Sequence, residues 1–408
     1  MKYTFKDTLR SCYLGYITQA IVNNLAPILF IIFQQEFNIS FEMIGRLILI
    51  NFITQIGADI YAVKYVDKIG YRKAGVIAHL FSAVGLIALG ILPKIMPNPY
   101  LGLVISVMIY AVGGGIIEVI VSPIVESLPG EEKASAMSLL HSFYCWGQVS
   151  VVLISTIIIK VLGLKVWFIL PILWSIIPMV NLFRFMKIPL NPIVADGEPM
   201  SIKELMSSRF FILAIILMMC AGASELTMSQ WSSIFAEEGL QVPKMMGDIL
   251  GPCLFAVFMG IGRTVYGIYG SKIKIEKALL YSGIACVGCY LITVFAGNPF
   301  VSLLSCALCG FTVCLMWPGT FSLSAEKFPK GGTAMFGLLA IGGDLGAAIG
   351  PWLPGVVTDK ASVLYNLGNS EGLKLGVLVG AIFPIILVIT MLFVKKTNTS
   401  EKPLSNTI

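Results

Sequence analysis

The chain has 408 residues, 57% of them hydrophobic and only 12% charged, with a mean hydropathy of +0.88. Soluble domains carry about 25% charged residues, so this composition excludes a soluble enzyme or nucleic-acid binder and predicts a chain that crosses a membrane many times. The net charge of +6 then bears on topology and says little about an acidic partner.

Apolar windows fall near 11–33, 43–66, 73–92, 100–127, 135–160, 165–186, 209–236, 245–270, 277–296, 299–324, 333–358 and 372–394. Each meets or approaches the roughly 20 residues that an α-helix needs to cross the hydrocarbon core. The first window is long and followed by further spans, so no cleavable leader is expected. Twelve spans put both ends on one face. Twenty of the 28 Lys and Arg residues lie on the face of the N-terminus and six on the other, while Arg46 and Arg263 fall inside spans. The positive-inside rule therefore predicts that both termini are cytoplasmic. The longest polar connection, 188–208, contains Pro189, Pro192, Asp196, Gly197, Glu198 and Pro199. It separates an N-terminal six-span half, 1–187, from a C-terminal half, 209–408, that ends in a short tail. The halves echo each other weakly, for instance in Gly57-x-x-x-Tyr61 and Gly262-x-x-x-Tyr266. Six plus six is a layout in which two halves rock around a site near the midplane.

Within the fourth window runs Gly113-Gly114-Gly115-Ile116-Ile117-Glu118, with Pro123 five residues on. A carboxylate at this depth costs about 2.5–3.5 kcal/mol on insertion scales unless it faces a cavity or is protonated, which makes a functional role the first expectation. A structural ion pair is the alternative. The glycines permit close approach of another helix or a ligand, and Pro123 weakens the helix where it would bend.

A spacing that looks like a zinc site, Cys286-x-x-Cys289 and Cys306-x-x-Cys309, lies wholly in apolar spans nine and ten. These thiols are predicted to be packing groups, and no metal is expected. No nucleotide-binding loop, nucleophile triad or metalloprotease motif occurs in a soluble segment. No enzyme activity and no cofactor are therefore expected, and an ion gradient is the natural energy source.

The loop after span two reads Asp67-Lys68-Ile69-Gly70-Tyr71-Arg72-Lys73. It resembles the Asp-Arg-x-Gly-Arg-Arg/Lys loop of the major facilitator superfamily, in which ion pairs hold the cytoplasmic face shut. The resemblance implies gating roles for Asp67, Gly70, Arg72 and Lys73. Further stretches narrow it: Asn23-Asn24-Leu25, Phe33-Gln34-Gln35-Glu36-Phe37, Tyr71-Arg72-Lys73-Ala74-Gly75, Glu118 with Pro123, and Leu140-His141-Ser142-Phe143-Tyr144-Cys145-Trp146-Gly147. Together they resemble the fucose–proton symporter family, whose Glu in span four is protonatable. In the second half, Glu225 with Trp231, Gly262-Arg263 and Pro351-Trp352-Leu353-Pro354-Gly355 look like the wider fucose-permease-like branch. Two departures stand out. The family's second carboxylate, in span one, falls at Pro27, and its sugar-binding Gln and Asn in span five fall at His141 and Tyr144.

The expected fold is thus an all-α integral membrane bundle of twelve transmembrane helices in two six-helix halves. Glu118 and His141 are the proton-coupling candidates, since a His near a Glu can share or relay a proton. Substrate-binding candidates are Asn23, Asn24, Tyr144, Glu225, Trp231 and Trp317, a mixture of hydrogen-bonding groups and aromatic faces that suits a polyol. Asn23 and Asn24 stand about 100° apart on a helix, so one faces the cavity and the other a neighbouring helix. Arg263 needs a partner. Counting from the helix ends favours Asp344, while a long Arg side chain and a bent helix leave Glu225 open; Arg263 and Asp344 are gating candidates, with Asp59 in the same network. The expected function is proton-coupled uptake of a sugar or sugar-like metabolite at a bacterial cell membrane. The alternatives are a proton-driven exporter of drugs or metabolites and a nutrient sensor, the short tails counting against the last. Substrate, protons and lipid bilayer are the partners implied, with no nucleic acid and no obligate protein partner.

Overall fold

The computed structural model describes residues 3–129, 133–191, 200–269, 274–328, 330–365 and 368–400, and every regular element among them is helical. The middle of the linker, 192–199, which includes Pro192, Asp196, Gly197, Glu198 and Pro199, lies outside the described residues. In chain order the helices are α1 (Phe5–Ile28, continued at a 45° bend by Phe30–Phe37), α2 (Phe41–Ile69), α3 (Tyr71–Ile95), α4 (Pro99–Glu126), α5 (Lys133–Leu162) and α6 (Ile169–Phe185, interrupted at Ser175). The second half holds α7 (Arg209–Ile234), α8 (Leu254–Tyr269, entered through Lys244–Asp248 and a π turn), α9 (Ile275–Phe295), α10 (Pro299–Lys327), α11 (Gly332–Tyr365) and α12 (Asn369–Gly380 and Ile382–Ser400). Ten of these are long and apolar enough to cross a membrane, and the bent α1 makes eleven. The shorter apolar α6 completes the twelve expected spans.

Local chemistry sets the ends. Ser40 caps α2 by accepting from the Met43 N–H at 3.2 Å, and Gly70 turns the chain into α3 at a φ of 89°, a conformation that only glycine adopts at no cost. Helices α4 and α10 begin alike. Asn98 accepts from Leu101 N–H at 3.2 Å and Asn298 from Phe300 N–H at 2.8 Å, each just before a proline at the first helical position, where the missing N–H costs nothing. This shared Asn-Pro start marks α4 and α10 as equivalent members of the two halves. Broad apolar faces stay exposed on the outside of the bundle, among them Val161, Phe295, Phe300 and Phe393, as lipid contact requires.

Below, the near face is the one at which the chain begins, and the far face is its opposite. The halves meet along two seams, α2 with α11 and α5 with α8. Hydrogen bonds between the halves cluster toward the far face. Glu42 N–H donates to Asp359 Oδ2 at 2.8 Å, Thr156 Oγ1 to Asp248 Oδ2 at 3.2 Å, Gln148 Nε2 to Ser229 Oγ at 2.7 Å and Gln230 Nε2 to the Asn23 carbonyl at 3.2 Å. The last has a cause in the sequence. Pro27 has no N–H to return to the carbonyl four residues back, so the Asn23 oxygen is free to accept from the other half. None of the ion pairs among the described residues crosses between the halves.

Small residues set the closest approaches. A Cβ on Gly346 of α11 would overlap the Met219 carbonyl of α7, and one on Gly222 would overlap the Gly343 carbonyl. Gly346→Val is therefore expected to force α7 and α11 apart and to lower stability by about 1–3 kcal/mol, the usual range for overpacking. A melting temperature unchanged from the parent would show that these helices can yield. The three glycines of α4 face three different neighbours: Gly113 meets Ala78 and Ser82 of α3, Gly114 meets Gln19 of α1, and Gly115 meets Gln55 and Asp59 of α2. They bring α4 against the polar sides of two helices at once.

Candidate functional site

Between the halves lies a cavity. Helix α1 lines it with Tyr16, Gln19 and Asn23, α4 with Glu118, and α5 with His141 and Tyr144. The second half adds Glu225 from α7, Arg263 from α8, Trp317 from α10 and Asp344 from α11. Eight of these ten were expected from the sequence, and Tyr16 and Gln19 are new.

Glu118 sits where an amide network ends. Gln19 Nε2 donates to Glu118 Oε2 at 3.0 Å and to Gln55 Oε1 at 2.8 Å. Gln55 and Asn51 in turn donate to Asn23 Oδ1 at 2.8 and 3.1 Å. The carboxylate is thus oriented by neutral groups, and no ion pair reaches it among the described residues. That removes the structural ion pair as the reason for Glu118 and leaves a carboxylate open to the cavity. His141 lines the same cavity but makes no hydrogen bond to Glu118 among the described residues. Its ring meets Tyr16 edge-on at 5.0 Å, and the Tyr16 hydroxyl lies 3.3 Å from Ser122 Oγ, one helical turn beyond Glu118. A direct Glu118–His141 contact, the simplest form of a relay, is not formed.

The paired asparagines divide as their helical spacing requires. Asn23 faces the cavity, while Asn24 Nδ2 donates to the Ala20 carbonyl at 3.0 Å and to the Tyr144 hydroxyl at 3.2 Å. Asn24 therefore positions Tyr144 and does not itself line the cavity. Trp231 also stands outside the lining. It is 1% exposed, its indole N–H donates to the Pro351 carbonyl at 2.6 Å, and its ring lies 6.5 Å from that of Phe41. A tryptophan whose only polar atom is taken and whose ring is packed has no face left for a ligand. Trp317 remains as the aromatic wall, with its ring over Gly343 of α11, where any Cβ would collide.

Arg263 does not pair with Asp344. Its Nη2 donates to Glu225 Oε2 at 3.0 Å within the second half, with both side chains buried. The same guanidinium donates to the Cys314 carbonyl at 3.2 Å, the His141 carbonyl at 3.4 Å and Cys145 Sγ at 3.4 Å. A long guanidinium side chain reaches along the cavity wall, past the turn that carries it, so counting depth from the helix end names the wrong partner. Asp344 instead approaches Asp59. Arg263 thus belongs to the cavity wall and the α5–α8 seam, with its donors engaged by protein groups.

Of the loop residues, Gly70 makes the turn described above. Arg72 donates to the Phe185 carbonyl at 3.0 Å and the Ile188 carbonyl at 2.8 Å, tying α3 to the end of α6 within one half. Lys73 is exposed, and the side chain of Asp67 lies outside the described residues. The four cysteines of the zinc-like spacing are free, and Cys286 and Cys309 approach to 3.7 Å between their sulfurs. Among the described residues no group of His, Cys, Asp or Glu is arranged to hold a metal ion.

Solved structures share this architecture. A crystal structure of the E. coli fucose:proton symporter FucP is 20% identical and superposes with a TM-score of 0.68, covering 97% of this chain and 99% of that one. FucP in the outward conformation gives 0.67 at 20% identity, over 95% and 98% of the two chains. The proton:xylose symporter XylE bound to 6-bromo-6-deoxy-D-glucose gives 0.77 at 12% identity, over 95% of each chain. Comparison with curated proteins yields no significant match. At these identities the likeness establishes the fold. The family rests on the sequence itself: the pattern of the Major Facilitator Superfamily matches residues 12–351, a stretch that contains every residue lining the cavity, and the chain belongs to that superfamily of membrane transporters.

Proposed function

We propose that this transporter takes up a sugar or sugar-like neutral polyol together with protons, by alternating access of the central cavity. The observation that carries this reading is Glu118, a carboxylate in the cavity whose partner is an amide and not a cation. Such a group exchanges a proton as the cavity changes the face it opens to. Around it, amides, phenols and one tryptophan face offer the mixture that hydroxyls and an apolar ring face require. Arg263 is occupied by Glu225 and by carbonyls, which removes this cavity cation as an anchor for an acidic substrate. The fucose:proton and xylose:proton transport named for the two solved relatives supports the same class.

In this proposal the near face is cytoplasmic, as the distribution of Lys and Arg indicates, and the membrane is a bacterial cell membrane. Residues 1–187 and 209–408 move as the two halves, with 188–208 as the tether. Asp67, Gly70, Arg72 and Lys73 belong to the near-face closure, where Arg72 fastens α3 to α6.

A thermal-shift screen of the purified protein against sugars, polyols and acids is expected to yield a neutral sugar as the strongest stabiliser, since any ligand that binds the folded state stabilises it. Right-side-out vesicles should then accumulate that sugar when the exterior is made acidic. Expulsion of the compound under the same gradient would instead establish the exporter.

A further inference from the structure

Asp59 on α2 and Asp344 on α11 stand on the two helices of one seam between the halves. Their carboxyls approach each other inside that seam. Asp59 is 0% and Asp344 1% exposed. Both oxygens of Asp59 and Oδ2 of Asp344 are buried with no hydrogen-bond donor among the described residues. Gly115 of α4 keeps the space open, because a Cβ there would lie 2.7 Å from Asp59 Oδ1.

The surrounding charges make this arrangement incompatible with two free carboxylates. From α4 the group that faces the pair is Glu118, another acid, and across the cavity stands Glu225. Arg263 of α8 is engaged by Glu225. Lys64 and Lys68 of α2 are exposed and lie against the Tyr65 ring. Two buried carboxylates with no counter-charge cannot both ionise without a large penalty. One proton between them converts repulsion into an O–H···O⁻ bond, among the stronger hydrogen bonds that side chains make.

We propose that Asp59 and Asp344 share one proton across the α2–α11 seam, that this proton fastens the near-face part of the seam, and that its loss lets the near face open. The inference rests on the proton-coupled alternating access proposed above and adds to it a second proton site beside Glu118. The proton is exchanged with water on the near side alone, so the pair gates the near face and carries no proton across the membrane. The proton departs as the carboxyls separate and each becomes hydrated.

The test needs no substrate. Val63 of α2 packs at the near end of the seam, where a Cβ on Gly337 of α11 would lie 2.7 Å from it. In a Val63→Cys variant held in lipid nanodiscs, labelling by a water-soluble maleimide reports near-face opening. Of the nine native thiols, eight are buried and Cys289 is half-buried, which keeps the background low. Labelling, scaled at each pH to that of a free cysteine peptide, is expected to rise roughly tenfold as the pH is raised and the shared proton is lost. Adding Asp59→Asn or Asp344→Asn should hold it low at every pH, because an Asn amide donates as the protonated acid does. Each variant is checked by size exclusion, and the two report independently should either fail to fold. A flat profile in Val63→Cys alone, a parent-like rise in either Asn variant, or a rise produced by exchanging sodium for potassium at fixed pH would overturn the shared proton. If Glu118→Gln abolishes the rise while both Asn variants keep it, the pair fails as a proton site and proton coupling through Glu118 stands.

Discussion

Glu118→Gln is expected to leave a transporter that binds its sugar and exchanges it across the membrane but no longer concentrates it. The substitution keeps nearly the same shape, and the carbonyl of the new amide side chain takes over the bond from Gln19 Nε2 that the carboxylate now accepts at 3.0 Å. What disappears is the proton. One pH unit across the membrane is worth about 1.4 kcal/mol per proton carried, or about tenfold accumulation. The variant should therefore bring internal and external sugar to equality where the parent reaches a ratio of about ten at that gradient. Counterflow and pH-driven uptake, measured on the same proteoliposomes, separate the two activities. If the variant accumulates sugar as steeply as the parent, Glu118 is structural and another group couples.

The second large effect concerns the buried pair of Arg263 and Glu225. Arg263→Ala should destabilise the protein by about 3–5 kcal/mol, the range seen when one member of a buried ion pair is removed and the other left uncompensated. Four acceptors lose their donor at once: Glu225, Cys145 and the carbonyls of Cys314 and His141. Removing both charges with residues of similar volume, Arg263→Met with Glu225→Leu, is expected to restore much of the melting temperature while abolishing sugar binding, because both side chains line the cavity. A single variant that melts with the parent would mean that the pair contributes little and that the helices, not the charges, hold this wall. A double variant as unstable as the single one would place the loss in the bonds to Cys314 and His141.

Much of this was legible in the sequence, for reasons that differ by residue. Spans were readable because bilayer thickness forces length and apolarity together. Glu118 was readable because a carboxylate in such a span is costly enough to require a reason. The interrupted α6 was less plain, since a helix broken at Ser175 looks like one window by composition alone. Gln19 and Gln55 were missed, although they left a signal: Gln19 and Asn23, and then Asn51, Gln55 and Asp59, repeat at four-residue spacing and so form one polar stripe on each helix. Depth along an axis favoured the wrong one of the two candidate partners of Arg263, because it ignores where a long side chain points. Trp231 and Trp317 illustrate the remaining limit. Both are tryptophans in spans expected to line the cavity, and only the packing of α7 and α11, with the Pro351 carbonyl within reach of one indole, decides which keeps a free face.

Pro27 carries a consequence of its own. Besides supplying no carboxylate, it releases the Asn23 carbonyl, which Gln230 of the other half takes up. Grafting an acid back at this position would also restore a backbone N–H four residues from Asn23, and that N–H would compete with Gln230 for the same oxygen. An acid at residue 27 would thus weaken the hook to the opposite half as it supplied a titrating side chain. With proline here the two halves share a fastening between an amide and a carbonyl, neither of which titrates, so its strength is indifferent to pH.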